Sequence, residues 1–546
     1  MSSPTHDAVP AVREASPRPS PAPTRLEGTL LLASSLIVGL TAALPRMPPS
    51  ADLAQHEFIL AALRGLGDPQ RFPSPPYEYA LYSANQLFVY GAWLLALALP
   101  VDLAARLAFA AVVAALPLLA GRAARHAGRS PLLGVVAAPL ALGFAYRWGL
   151  CAYLLGVCVL LAALPDLDAL ARAPDARRAL RASAWAATLA LAHGSSSVLL
   201  LTFTAVTLLE GRRSLRAAAW VAAPAACGVA VFALGWALFQ SRVRGDTSSP
   251  SGYGIALSVR PGIVLWSLFG PLDGWVGVAL PTLCALGLAL LARGAGGSVH
   301  ARYARTGALC AVQFFLWPNE FGGAGLLFHR FALPAALLLG LALPSVTPRP
   351  RWRAALLLVA PLAMSAALWP LTRVVDRAWR DLDAVIARIE PGSAVASLDL
   401  AEIPAAMHVF GGAAARAVAL RGGVTNNDFS HLPQFPARTA PDRVWTRARL
   451  RLMQPERFVP ALDFQRFRYV IVRTTRRHDL DALTRAMAPE GRLVVRSGRW
   501  MLYASQLALQ PLAAPEPPEP RPLPSNLAAR IAAQGVAFPF PRPPPR

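Results

Sequence analysis

Apolar residues fall into long runs along most of this chain, and polar residues punctuate the runs rather than alternate within them. From Leu30 to about Trp369 about ten or eleven such runs follow one another. A helix needs roughly 17–25 residues to cross the hydrocarbon of a bilayer, and several of these runs are shorter and need loop residues to complete them. The pattern predicts helices over about 28–44, 103–121, 131–145, 149–164, 180–193, 196–209, 216–239, 274–292, 304–317, 331–344 and 354–370. The stretch 86–99 holds only about 14 residues, which suits an interfacial helix better than a span.

The gaps between runs carry a second pattern. Arginine-rich gaps (Arg122/Arg125/Arg129, Arg172/Arg177/Arg178/Arg181, Arg212/Arg213/Arg216, Arg293/Arg302/Arg305 and Arg349/Arg351/Arg353) alternate with gaps that hold histidine and acidic residues instead. Cytoplasmic loops retain Lys and Arg, so this alternation orients the chain. It predicts a cytoplasmic N-terminus, a retained first helix rather than a cleaved leader, and a long first outer loop, 45–102. If 86–99 crossed the membrane, every later arginine cluster would fall outside, so that segment is expected to lie along the surface.

Beyond about residue 370 the runs shorten and charge rises. Short apolar stretches at Ser393–Leu398, Phe467–Val472, Leu493–Val495 and Trp500–Tyr503 read as strands, and Leu480–Met487 as a helix. The expected organisation is a disordered cytoplasmic segment 1–25, a transmembrane domain 26–370, an extracytoplasmic α/β domain 371–508 and a Pro-rich tail 509–546. The predicted class is an all-α polytopic membrane domain of about 11 transmembrane helices with a small α/β domain appended.

Composition agrees with this class. The chain of 546 residues is 55% hydrophobic, with a mean hydropathy of +0.42. Its net charge of +23 comes from arginine alone, since no lysine occurs. Much of that charge sits in loops that meet anionic headgroups, so it argues for membrane orientation and against nucleic-acid binding. The five cysteines lie inside apolar runs with no CxxC spacing, which suggests neither a disulfide framework nor a zinc site.

The candidate chemistry gathers in the arginine-poor gaps. Asp52 and His56 in ADLAQHEF share a helix face at i, i+4, and Glu57 follows. A carboxylate at a membrane boundary can serve as a general base, and a histidine one turn away can donate to a phosphate. The competing reading makes Asp52 or Ser50 a helix cap. Asp52, His56 and Glu57 together also offer a hard divalent cation two or three ligands. Arg147, His193, His329 and Arg330 occupy other outer turns, with Asn319 and Glu320 beside the last pair. Arginine there offers a bidentate fork for phosphate. The motifs of nucleotide loops, serine hydrolases and zinc peptidases do not stand out, and Gly322-Gly323-Ala324-Gly325 reads as a turn. Asp399, Asn426, Asn427 and Asp428 read as turn and cap residues.

With these residues in place, the layout resembles the GT-C superfamily of integral-membrane glycosyltransferases. The resemblance rests on Asp52 after the first helix, on a first outer loop SPPYEYALYSANQLFVYGAWLLALAL with Pro75-Pro76-Tyr77, and on the small C-terminal domain. Arg106-Leu107 near the start of the second helix, Leu191-Ala192-His193 and His329-Arg330-Phe331 are similar to motifs of such proteins. It covers about residues 26–370 in layout. The sequence departs from many members in one respect, since Asp52 has no adjacent acid and Glu57 stands five positions away.

The resemblance implies an inverting glycosyl transfer from a polyprenyl-phosphate-linked sugar to an extracytoplasmic acceptor, at the outer face of the cytoplasmic membrane. Asp52 would be the base, and His56, Glu57, Arg147, His193, His329 and Arg330 would contact substrate. No cofactor is implied with certainty, a divalent cation being the one candidate. A transporter or lipid flippase is the alternative, as is a non-catalytic membrane protein whose outer domain binds a partner.

Overall fold

The computed structural model describes residues 24–72, 77–79, 85–210, 213–240, 257–272, 274–319, 325–400, 409–425, 437–439, 458–474 and 484–509. Pro75-Pro76, Glu320, Gly322-Gly323-Ala324, Asn426-Asn427-Asp428 and the Pro-rich tail lie outside the described residues, as do nearly all of the N-terminal segment and the first half of the expected helix at 480–487.

Helix α1 (Arg25–Ala43) starts with a capping box, in which Thr24 and Glu27 satisfy each other's backbone groups. The chain then turns into α2 (Leu53–Gly65), a short strand β1 (Tyr77–Tyr79) and α3 (Leu87–Ala96). At 10 residues α3 is too short to cross a bilayer. The bundle continues with α4 (Val101–His126), α5 (Leu133–Ala141), α6 (Phe144–Trp148) and α7 (Cys151–Arg172). It is completed by α8 (Ala176–Ala192), α9 (Gly194–Leu209), α10 (Leu215–Gln240), α11 (Val264–Phe269), α12 (Gly274–Ala292), α13 (Ala301–Leu316), α14 (Ala332–Ala342), α15 (Arg351–Ala355) and α16 (Val359–Ile386).

Among the described residues six helices are long and apolar enough to cross a membrane: Arg25–Ala43, Val101–His126, Cys151–Arg172, Leu215–Gly235, Gly274–Ala292 and Arg351–Ile386. They match six of the eleven expected spans. The other five are shorter or more polar, and the segment expected at 131–145 is divided between α5 and α6. The chain is thus a multi-pass membrane protein whose spans vary in length. Apolar helices pack closely where side chains are small. At Gly134 of α5 an added Cβ would lie 2.1 Å from the carbonyl oxygen of Pro117 in α4, so only glycine permits that contact.

The helix expected to end near 370 continues without a break to Ile386. At 1.5 Å per residue the segment Arg351–Ile386 is about 54 Å long, well beyond the roughly 30 Å of hydrocarbon. Its last four turns bury Thr372, Val375, Trp379, Leu382, Val385, Ile386 in helical period and carry the C-terminal unit.

That unit is a mixed sheet in the order β2-β4-β6-β5, built from β2 (Val395–Asp399), β4 (Tyr469–Arg473), β5 (Gly491–Ser497) and β6 (Trp500–Ser505). Strands β2 and β4 are parallel, and the other pairs are antiparallel. Alternate residues serve two cores. Val395, Ile471, Trp500 and Leu502 join the main core with Trp379 and Phe410, while Ala396, Val470, Val472 and Tyr503 pack on Phe458, Phe464, Phe467 and Met487. The helix α18 (Pro460–Arg466) covers that second face.

The sheet unit is joined to the first loop. Strand β1 pairs with β3 (Ala437–Thr439), and Gly423 donates to the Arg71 carbonyl at 2.6 Å. Helix α17 (Ala413–Arg421) lies along α2, where Arg416 is buried with two carboxylates. Its Nη1 donates to Glu57 at 2.6 Å, and its Nε and Nη2 grip Asp383 at 2.7 and 3.0 Å. A buried ion pair contributes little net stability when complete, but losing one partner strands the other charge. Replacing Arg416 with Met is therefore expected to lower stability by about 3–5 kcal/mol, read as an earlier thermal unfolding midpoint of the detergent-solubilised chain. An unchanged midpoint would show that the triad does not hold α2.

Candidate active site

The site begins with how α2 is started. The turn after α6 reverses at Gly149, whose φ of +72° favours glycine. This lets the segment 50–53 lie directly on the turn. Ala51 and Asp52 donate their backbone N–H groups to the carbonyls of Arg147 and Trp148, both at 3.1 Å. A Cβ at position 149 would fall 2.3 Å from Ser50 Oγ and 2.9 Å from Asp52 N. Asp52 occupies the N-cap position of α2, yet its carboxylate makes no capping hydrogen bond. The cap reading for Asp52 is thereby corrected: the side chain is left available.

The Asp52 carboxyl is partly buried, and that burial pushes its pKa up to about 7, against the pull of the Arg330 charge. Asp52 and Arg330 are electrostatic neighbours without a direct ion pair among the described residues. His56, one turn further, is buried against the Phe88 ring of α3, edge to face with centroids 5.0 Å apart. Burial holds its pKa down to about 4, so it is neutral at physiological pH.

Arg330 is positioned from three sides. Tyr153 of α7 donates its hydroxyl to the Arg330 carbonyl at 2.9 Å, Arg330 Nη2 donates to the Gly325 carbonyl at 3.1 Å, and Nη1 lies 2.9 Å from His193 Nε2. His193 caps α9, its Nδ1 accepting from the Ser195 N–H at 3.1 Å. A neutral imidazole accepts at one nitrogen only, so the Ser195 N–H and the Arg330 guanidinium compete for a single lone pair. One donor of this group therefore faces another N–H. Arg330 Nε, Ser196 Oγ and Ser197 Oγ are buried beside them without partners among the described residues. The structure thus joins Asp52, Arg330 and His193, which lie far apart in sequence, into one group rich in unused donors.

Three other expected contacts are placed differently. Glu57, expected beside Asp52 as a substrate contact, is buried in its pair with Arg416. Arg147 donates to the Pro271 carbonyl at 3.3 Å, and its own carbonyl receives Ala51. His329 sits among the rings of Phe144, Trp266 and Phe328, with Nδ1 2.7 Å from Ser267 Oγ. Ser267 donates to the Ile263 carbonyl at 2.8 Å, so it accepts from His329. Nor do Asp52, His56 and Glu57 gather as cation ligands, and no three His, Cys, Asp or Glu side chains among the described residues are grouped to hold a metal ion.

Several residues that complete the site had no distinct signal in the sequence. Asn85, in the left-handed region at φ 67°, accepts from the Gly194 N–H at 2.9 Å and ties the first loop to the His193 turn. Arg106 of α4, which the sequence did single out with Leu107, donates to the Pro45 carbonyl at 3.0 Å. Buried Arg260 donates to the carbonyls of Phe314, Phe315 and Trp317 at 2.6–3.0 Å, neutralising the C-terminal end of α13.

No protein-family model matches the chain, and no curated protein matches it significantly. Two solved membrane-enzyme structures are similar over 89% of the chain. One is ArnT from Cupriavidus metallidurans bound to undecaprenyl phosphate, at 14% identity and TM-score 0.49, with 99% of that chain covered. The other is the arabinofuranosyltransferase AftD from Mycobacteria, at 18% identity and TM-score 0.47, of which the matched region is 40%.

The raised Asp52 pKa has a consequence for stability. Between about pH 4 and pH 7 the folded chain holds a proton at Asp52 that the unfolded chain has released, so this group's contribution to stability falls as pH rises through that window. Asp52→Asn, which mimics the neutral acid, is expected to unfold at a higher temperature than the parent at pH 8, with the two curves converging towards pH 4. Equal midpoints at pH 8 would refute the burial of this carboxyl.

Proposed function

We propose that the chain is an integral-membrane glycosyltransferase of the GT-C type, which moves a sugar from a polyprenyl-phosphate donor to an acceptor hydroxyl on the extracytoplasmic side. The observation that carries this reading is the group Asp52, Arg330 and His193, a poised carboxylate near an arginine, a histidine and two serines whose donors are only partly used. The arginine alternation supports placing that group outside, and the motifs shared with the superfamily support the substrate class.

In this reading Asp52 takes the proton of the acceptor hydroxyl, and the acceptor oxygen attacks the anomeric carbon from the face opposite the phosphate. The bond from that carbon to the phosphate oxygen breaks, and its electron pair leaves with the polyprenyl phosphate. Inversion follows from this single displacement. A pKa near 7 suits a base that must be unprotonated yet still basic at neutral pH. A phosphate oxygen set beside Arg330 and His193 would accept the donor left over in this group, which stabilises the developing charge. The serine hydroxyls of Ser196 and Ser197 stand ready beside it. Neutral His56 would orient Asp52 or the acceptor, and no step requires a metal.

Asp52→Asn is expected to reduce transfer by roughly a hundred- to ten-thousand-fold while the polyprenyl-phosphate sugar still binds, measured by radiolabelled sugar transfer and donor retention in detergent. Retained activity in Asp52→Asn would rule this base out. Arg330→Gln should instead weaken donor binding as well as turnover, and Arg330→Lys should restore little, because a single ammonium cannot reproduce the guanidinium fork. For the parent chain, kcat/KM should rise with pH about a midpoint near 7, where an ordinary carboxylate would give one near 4. A flat profile between pH 5 and pH 8 would contradict Asp52 as the titrating group.

A further inference from the structure

Helix α16 leaves the lipid-facing part of the molecule with its apolar surface exposed at Val359, Leu362 and Trp369. The next two turns change chemistry on the same helix. Arg373, Arg377 and Arg380 are spaced i, i+4 and i+7, all exposed, with half-exposed Val374 among them. Their buried counterparts Thr372, Val375 and Trp379 occupy the opposite face.

The acids of this helix reach that stripe at Arg380 alone among the described residues. Asp376 accepts from the Met47 N–H at 3.2 Å and, among the described residues, pairs only with Arg380, at 3.4 Å. Asp383 is taken by Arg416 and Arg46. Asp381 is turned under the β5–β6 hairpin, where a Cβ on Gly498 would lie 2.2 Å from its Oδ2. Arg373 and Arg377 have no ion-pair partner among the described residues. The helix therefore sorts its charges, carboxylates inward and guanidinium groups outward, and a surface helix that needed only solubility has no reason to do so.

We propose that this face is a docking surface for anionic phospholipid headgroups of the leaflet on the Asp52 side. Three observations favour a lipid surface over a soluble polyanion. The stripe is continuous with the lipid-facing apolar side of the same helix. Trp369 stands at the junction, as interfacial tryptophans do. The rise from Arg373 to Arg380 is about 10 Å, enough to span the roughly 5–8 Å of one headgroup layer. Arginine stems can also lie along the interface while their heads reach phosphate. Because α16 carries both Arg416's partner Asp383 and the sheet unit, such docking would fix the angle at which the C-terminal unit stands over the membrane. The surface is independent of Asp52, Arg330 and His193.

The test uses the full chain in phosphatidylcholine nanodiscs, with a fluorophore on Val374→Cys and the unsubstituted chain as the labelling background. A minor fraction of lipid carries a nitroxide near the top of its acyl chain, on either phosphatidylglycerol or phosphatidylcholine. Quenching by phosphatidylglycerol is expected to exceed that by phosphatidylcholine by roughly two- to fivefold, and the excess should vanish in Arg373→Gln/Arg377→Gln/Arg380→Gln. Raising salt on the unsubstituted arginines should reduce the same excess, which keeps the test decisive should the triple variant fold poorly. Equal quenching by the two lipids overturns the proposal. So does quenching by neither together with protection of the label by an acidic polysaccharide, which would assign the face to a soluble polyanion.

Discussion

Two main-chain hydrogen bonds set the terms for the rest of this molecule. A helix start leaves backbone donors unsatisfied, and a carboxylate at the N-cap normally turns back to meet them. Here the carbonyls of Arg147 and Trp148 receive the N–H groups of Ala51 and Asp52, so neighbouring chain fixes the approach to α2, and the Asp52 side chain makes no capping bond. The consequence is chemical. Asp52 stays partly buried, uncommitted as a cap and within the field of Arg330, which is the state a base near neutral pH requires. Gly149 makes the contact possible, since any side chain there would occupy the space of Ser50 and Asp52.

The far side of α2 is fixed by a different force. Arg416 holds Glu57 of α2 and Asp383 of α16 at once, so the helix bearing Asp52 cannot shift without exposing a buried charge. The sheet unit is thereby made part of the site's support rather than an appendage. The backbone pairing of β1 with β3 and the Gly423 bond to Arg71 act in the same direction. Precision at Asp52 thus depends on contacts between parts of the chain more than 300 positions apart.

Arginine serves several ends here, and burial separates them. Exposed arginines lie between helices, where they form the alternation seen in the sequence. Buried Arg260 closes a helix end and buried Arg416 joins two carboxylates. Arg302 links Asp168 of α7 and Glu210 after α9 at 2.8 and 2.7 Å, so one of the arginine-rich gaps also ties three parts of the bundle together. The sequence shows all of these as the same letter. Only the partner decides which task each performs, because a guanidinium in a loop and one in a core differ in desolvation and not in identity.

Sequence by itself determined the class and the positions of six spans, because membrane spans and strands are written in local periodicity and need no knowledge of neighbours. It also singled out Asp52, His193 and Arg330, since ionisable residues at the ends of apolar runs are conspicuous. It could not separate them from Glu57, Arg147 and His329, which are equally polar and equally placed along the chain. That separation depends on Arg416, Pro271 and Ser267, residues remote in sequence whose approach is set by packing. Tertiary structure alone decided which side chains are satisfied and which are left with unused hydrogen-bonding capacity, because satisfaction belongs to a pair of groups and a sequence records them one at a time.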